Sequence, residues 1–399
     1  TCQVIEQEPQ ARIKAGGVQE MSRVLKKTLL PLFLVMLLSL SLSMGSGAWA
    51  AGTIKIGVIT PLTGNLASIG NAVAEGIKLA VKVANDSGGV KGNKLELVVY
   101  DDRNVPEEAV SAAKRLISGD KVPVIIGAVG SSPTAAVQQI TMREHVPLIT
   151  PVSMTPKLTE IGDKYMFRAT ATAAMRETVF AEFVARKLNA KTVAFIASNE
   201  DLGRSTVEAA QQEYAKYGNP KTVYTAFFEP TATDFSAELV KIKALKPDVV
   251  YIVADSVRAS IIVKQLRALN LTGNIVASAE AATDEFLRLA GPAAEGIYFP
   301  LDWSVDFDDA KSVEFLKLYK AEYKKLPETK FAVQGWEAAW LVIEALKGAK
   351  DYTPASVRDA LSKATFDGPR GHLWFDEKGQ VQIDSRIAVV KNGKFVISK

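Results

Sequence analysis

Short apolar runs alternate along this chain with longer stretches in which apolar residues recur every three or four positions. Ile54–Ile59 is the first run, and Gly64 and Gly70 punctuate the loop behind it. Val73, Ile77, Val81 and Ala84 then mark one helical face, which stops at Asn85-Asp86-Ser87-Gly88-Gly89. Leu95–Tyr100 predicts the next strand, ending in Asp101-Asp102, and 106–118 the next helix, stopped by Gly119. Val124–Ile126 and Pro147–Thr150 predict two more strands. Repeated strand–helix–strand order predicts a parallel, doubly wound sheet.

A second series of the same kind follows Arg168. It predicts helices over 173–188, 203–217, 235–244 and 256–269, and strands over 192–197, 223–228, 248–254 and 275–278. Two such series predict two similar α/β lobes, with a cleft between them as the natural ligand site. Long helices over 310–325 and 332–347 come next. A β-rich tail closes the chain, with turns at Asp376-Glu377-Lys378-Gly379 and Lys391-Asn392-Gly393-Lys394.

One stretch stands out chemically. In Val124–Thr134, VIIGAVGSSPT, a buried strand breaks into glycine, two serines and a proline. Ser132 is placed to cap a helix and Pro133 to be its first residue, so free amides point out beside Ser131. In an open α/β sheet, ligands bind just past the carboxyl ends of the strands. Free amides and hydroxyls at a helix start suit a carboxylate. The plainer reading, that Ser-Pro merely starts a helix, stays open.

Composition narrows the chemistry. The chain has 399 residues, of which 48% are hydrophobic and 23% charged, enough for two cores. Its net charge of +4 is small and partly concentrated at Arg12, Lys14, Arg23, Lys26 and Lys27, which argues against a nucleic-acid partner. Cys2 is the only cysteine, and His145 and His372 are the only histidines, so little material exists for a thiolate catalyst, a metal site or a histidine base. No cofactor and no metal are implied. Phosphate-loop, dinucleotide, hydrolase-elbow and zincin motifs are missing. Asp101 and Asp102 point to opposite faces of a strand end, which reads as a solvated turn rather than an acid pair.

The N-terminal stretch reads as a targeting signal. Met21, Arg23, Lys26 and Lys27 form a positive region, Leu29–Leu42 an apolar one, and Ala48-Trp49-Ala50 a cleavage site before Ala51. Residues 1–20 read as a non-native or over-extended leader, and 21–50 as a signal peptide removed on export to the periplasm.

From Ile54 onward the chain resembles the periplasmic leucine/isoleucine/valine-binding proteins of ABC transporters. The carrying residues are Ile54-Lys55-Ile56-Gly57-Val58 with Thr63-Gly64, Gly88-Gly89-Val90-Lys91-Gly92-Asn93-Lys94-Leu95 running into Tyr100-Asp101-Asp102, Ile126-Gly127 with Ser131-Ser132, Ile149-Thr150-Pro151, Arg168, and Trp374-Phe375-Asp376-Glu377-Lys378-Gly379. The resemblance implies a type I periplasmic-binding fold, a Venus flytrap whose lobes are joined by three crossovers. Lobe 1 would be 52–172 with 302–381, and lobe 2 173–301 with 382–399. It further implies that Ser131, Ser132 and the Val152, Ser153, Met154, Thr155 loop hold a ligand's α-carboxylate, and that Glu280 takes its ammonium. Ile69, Leu202, Asp255 and Trp336 would select the side chain.

Departures from the family pattern come with that resemblance. Met154 stands where the family has a threonine, and Ile69, Leu202 and Asp255 replace aromatic residues. Each of three site residues keeps a plainer reading: Glu280 as a helix-start acid, Asp255 as the cap of the helix from Ser256, and Trp336 as a core aromatic one turn before Trp340. Asn104 and Gly130 occupy the positions of a disulfide found in some relatives. The expectation is a non-enzymatic, monomeric solute-binding protein that delivers a branched-chain or other hydrophobic amino acid to an ABC permease in the inner membrane. An aromatic acid, an amide or a polyamine as ligand, a sensor role and a secreted α/β enzyme are the rivals. Two carboxylates in the cleft, Asp255 and Glu280, would favour an amine-rich ligand.

Overall fold

The computed structural model describes residues 52–398 apart from 65, 156, 384 and 385, and apart from the side chains of 173, 201 and 202. The leader, the signal peptide and Cys2 lie outside the described residues. Five parallel strands form a first sheet: β1 (Thr53–Thr60), β2 (Lys94–Asp101), β3 (Ile125–Ile126), β4 (Leu148–Thr150) and β5 (Met166–Arg168), in the order β2-β1-β3-β4-β5. Helices α1 (Ala67–Asp86), α2 (Pro106–Lys114), α3 (Ser131–Glu144) and the single turn α4 (Lys157–Glu160) connect them.

The chain then repeats the plan. α5 (Ala173–Glu182), β6 (Thr192–Ser198), α6 (Asp201–Tyr217), β7 (Lys221–Phe228), α7 (Ser236–Leu245), β8 (Val249–Val253), α8 (Ser256–Ala268), β9 (Asn274–Ala277), α9 (Asp284–Ala290) and β10 (Tyr298–Pro300) build a second sheet. Its parallel part runs β7-β6-β8-β9-β10, the same order as the first sheet. Runs such as Val249–Val253 are buried along their whole length, as expected of strands covered by helices on both faces. In each sheet the order reverses between the first and third strands, which places a crevice at their carboxyl ends.

After β10 the chain returns to the first sheet through α10 (Ala310–Tyr323), α11 (Phe331–Gly348) and α12 (Pro354–Leu361). It adds a small antiparallel sheet, β11 (Thr365–Gly368), β12 (Gly371–Phe375) and β13 (Val381–Ile383). Helix α11 lies against α1 at backbone distance. A Cβ on Gly76 would stand 1.9 Å from the Ala332 carbonyl oxygen, and one on Gly335 2.2 Å from that of Val73, so only glycine permits the approach. The last hairpin, β14 (Ile387–Lys391) and β15 (Lys394–Ile397), joins the second sheet antiparallel to β10. The chain therefore passes between the sheets three times: between β5 and α5, between β10 and α10, and between β13 and β14.

Buried polar side chains tie these passages together. Arg168 donates from Nε to Gln380 Oε1, from Nη1 to the Thr155 carbonyl and from Nη2 to Thr159 Oγ1 at 2.9 Å. Gln380 Nε2 donates to the Thr170 carbonyl at 3.0 Å, and Gln334 Nε2 to Thr170 Oγ1 at 3.1 Å. Arg370 pairs through Nε with Glu337, donates its backbone N–H to the same carboxylate at 2.8 Å, and reaches the Ala169 carbonyl at 2.6 Å. Arg386 Nη1 donates to Asp309 Oδ2 at 2.9 Å.

Three details differ from the sequence reading. Asp102 is not solvated: it is buried just past the end of β2, and burial raises its carboxyl from 3.8 to about 6. Ser132 does not cap α3. Gly130, extended at φ −71° and ψ 146°, is its N-cap and no side chain caps it, so the helix begins at Ser131 and Pro133 is its third residue. Strands β5 and β10 and helices α9 and α12 carry too few periodic residues to show in the pattern. Among the described residues no helix is long and apolar enough to cross a membrane.

Candidate functional site

The two loops at the carboxyl ends of β3 and β4 are locked together. Gly127 makes this possible, because its φ of +146° and a Cβ position only 2.2 Å from the Ile59 carbonyl oxygen exclude a side chain. Thr150 Oγ1 donates to the Ala128 carbonyl at 2.7 Å and accepts from the Ser153 N–H at 3.2 Å. The buried Ser153 then donates its hydroxyl to Ser131 Oγ at 3.2 Å. The first amides of α3 have no intrahelical acceptor, so the loop presents hydroxyls beside a positive helix end.

On the second sheet, carboxylates follow β9, the counterpart of β4, and β10, the counterpart of β5. Glu280, half-buried, sits in the single turn 279–281 after β9, and the buried Asp302 follows β10. Lys330, the N-cap residue of α11, lies near both. Burial pushes its ammonium below the ordinary lysine range, against the pull of Asp302 and Glu280 and with the push of Arg176 and Arg370. Glu280 and Lys330 also border a cavity of about 480 Å³ with Asp284, Trp303, Glu328 and Phe331.

Arg176 stands in the first turn of α5, whose N-cap Thr172 accepts from the Met175 N–H at 3.1 Å. Its neighbour Glu177 is buried and receives the Tyr251 hydroxyl, at 2.9 and 3.0 Å from its two oxygens. Burial raises Glu177 from 4.5 to about 8, so it is mostly protonated at neutral pH; Glu280 adds to the rise, and Tyr251 and Arg176 oppose it. What the arrangement offers is hydroxyls and free amides at the strand ends of one sheet and carboxylates at those of the other.

A family model described as periplasmic binding protein matches residues 53–394. The chain belongs to this family. The binding protein is 29% identical over 340 residues to the leucine-, isoleucine-, valine-, threonine- and alanine-binding protein of Pseudomonas aeruginosa, covering 84% of this chain and 89% of that relative. It is similar in structure to a branched-chain amino acid transporter substrate-binding protein of Streptococcus pneumoniae in complex with isoleucine, with TM-score 0.65, 30% identity, and 87% and 99% of the two chains covered. It is also similar to a solute-binding protein of a Rhodopseudomonas palustris ABC transporter in complex with benzoate, at TM-score 0.64 and 26% identity over 87% and 95% of the chains. The fold is the type I periplasmic-binding fold.

Within this binding protein the expected site residues fall into three groups. Ser131, Ser132, Val152, Ser153, Met154 and Thr155 share the joined β3 and β4 loops, and Glu280 ends a strand of the other sheet. Ile69 is half-buried near the start of α1, packed on the core, and Leu202 is the second residue of α6, its side chain outside the described ones. Asp255 caps α8, accepting from the Val257 and Arg258 N–H groups at 2.8 and 3.0 Å and pairing with Arg258 at 3.4 Å. Trp336 is buried edge-on against Phe315 and Trp340 and borders a different cavity, of about 220 Å³, so its placement is that of a core residue. Sequence reasoning missed Arg176, Glu177, Asp302 and Lys330. Asp302 and Lys330 each abut an apolar run, a weak signal; nothing in the sequence marks Arg176.

Proposed function

We propose that the protein is a non-enzymatic, extracytoplasmic solute-binding protein that takes up a branched-chain or other hydrophobic α-amino acid and delivers it to an ABC permease. The carrying observation is the division of charge across the cleft: hydroxyls and helix-start amides at Ser131 and Ser153 on one sheet, and the Glu280 carboxylate on the other. A zwitterion complements both faces at once. The relatives named for leucine, isoleucine and valine support the same ligand class.

Residues 52–172 with 302–381 form one lobe in this reading, and 173–301 with 382–399 the other. Ligand bridging the two faces favours the closed arrangement, and the three passages between the sheets serve as the hinge. Closure presents a combined surface to the permease.

The test is thermal unfolding of the protein from Ala51 against leucine, isoleucine, valine, phenylalanine, benzoate, an aliphatic amide and a polyamine. A ligand of the native state raises the midpoint with the logarithm of its excess over Kd. A shift with the amino acids that Glu280→Ala abolishes upholds the reading. A shift with benzoate or the polyamine alone overturns it.

A further inference from the structure

Arg176 is 7% exposed, yet its guanidinium makes a single hydrogen bond, from Nη2 to the Met154 Sδ at 3.2 Å. Thioether sulfur is a weak acceptor, and a guanidinium carries five N–H donors and a permanent charge. Among the described residues no carboxylate forms an ion pair with it. None of its nitrogens is among the fully enclosed unpaired atoms, so the free N–H groups open onto solvent and are available to an arriving acceptor. Glu177, its neighbour in sequence, is occupied by Tyr251 and held largely in its neutral form.

Position says what that partner is. Met154 belongs to the loop whose Ser153 bonds Ser131 at the start of α3, and Arg176 reaches this loop from the first turn of α5. Free amides of one helix start, two hydroxyls and the unpaired guanidinium therefore surround one short loop. Met154 supplies no hydroxyl of its own there, so Arg176 stands behind it as the strongest donor within reach. We propose that Arg176 is a receptor for the ligand's carboxylate: the Met154 thioether gives way and the guanidinium fork takes a carboxylate oxygen pair beside Ser131. The inference rests on the ligand reading above and deepens it. The solute must carry a free carboxylate, and the carboxylate and ammonium half-sites, Arg176 and Glu280, are separable.

The experiment measures the affinities of leucine, leucinamide, benzoate and benzamide for wild type, Arg176→Gln and Arg176→Lys. A charge-assisted hydrogen bond of ordinary strength predicts that Arg176→Gln weakens leucine about 10- to 150-fold. The variant also narrows the preference for leucine over leucinamide by a similar factor, leaving what Ser131 and the helix-start amides supply, and Arg176→Lys restores part of it. A folded Arg176→Gln that binds leucine as the wild type does, or that keeps the whole of the wild-type preference over leucinamide, overturns the proposal. The Arg176 guanidinium 15N resonances of the wild type give a readout free of any folding defect: they shift on saturation with leucine and not with leucinamide, and unmoved resonances overturn the proposal. Benzoate separates the two readings. If benzoate binds and leucine does not, the amino-acid reading falls and Arg176 is judged on benzoate against benzamide; if no carboxylate binds the wild type, both fall.

Discussion

Arg168 and Arg370, at the passages between the two sheets, are as deeply buried as Arg176 at the cleft, and their donors are almost all used. Arg168 reaches Gln380, Thr155 and Thr159; Arg370 reaches Glu337 and Ala169 and leaves only Nη1 without a partner. Around the cleft the pattern inverts. Arg176 has a sulfur contact, and Asp302 Oδ1 and Ser278 Oγ are buried with no partner. Unpaired buried atoms also occur elsewhere, at Asp102, Tyr214, Gln334 and Trp340 for example, so it is the charged Arg176 guanidinium that sets the cleft apart from the passages. The contrast sets arginines whose donors are used within the fold against one whose guanidinium meets only a thioether.

The largest expected effect lies at the passages. Glu337→Ala leaves the Arg370 guanidinium buried without its counterion, and removal of one member of a buried pair costs about 3–5 kcal/mol. Urea unfolding of ligand-free protein measures it. A loss below about 1 kcal/mol would mean that the pair is as replaceable as a surface one and would erase the contrast with Arg176.

Next comes the acid beside Arg176. Glu177 titrates at about 8 in the fold against 4.5 when unperturbed. The unfolded chain releases this proton first. The contribution of Glu177 to stability is therefore complete below pH 4.5 and falls by about 1.4 kcal/mol per pH unit as the pH rises towards 8. Glu177→Gln, which still accepts the Tyr251 hydroxyl, flattens that slope between pH 5 and pH 8. An unchanged slope would make Glu177 an ionised counterion for Arg176, and Arg176 would no longer count as unpaired.

How far the sequence could foresee this depends on range. Strands such as Val249–Val253 and helices such as α1 were legible because an apolar run or a repeating face is a local signal. The start of α3 misled because Ser-Pro is a good cap pair, whereas Gly130 begins the helix through backbone geometry alone. Asp255 at the head of α8 and Trp336 one turn before Trp340 had plain structural readings, and those are the roles that their contacts display. Arg176, Asp302 and Lys330 were invisible for a different reason: they lie on three elements far apart in sequence, and only the folded chain brings their charges together.

A smaller effect belongs to Asp255. Its carboxylate satisfies two amides at the start of α8, so Asp255→Ala costs about 1 kcal/mol of stability by loss of a cap. Leucine affinity stays within twofold of the wild type by calorimetry. A tenfold loss would move Asp255 into the cleft set and make the second sheet's acidic face larger than Glu280 and Asp302.

The smallest effect is the most telling. Arg176→Gln removes a buried charge that ligand-free protein leaves unpaired, which favours the variant, and it also removes packing of the arginine stem, which favours the wild type. The two terms oppose, so ligand-free stability in urea stays within about 1 kcal/mol of the wild type. A fixed excess of leucine then separates the proteins, because the tighter-binding wild type gains the larger rise in midpoint. A ligand-free loss approaching the Glu337→Ala value would place Arg176 among the lobe-holding arginines, since only a guanidinium already satisfied in the empty protein is missed that much when it is removed.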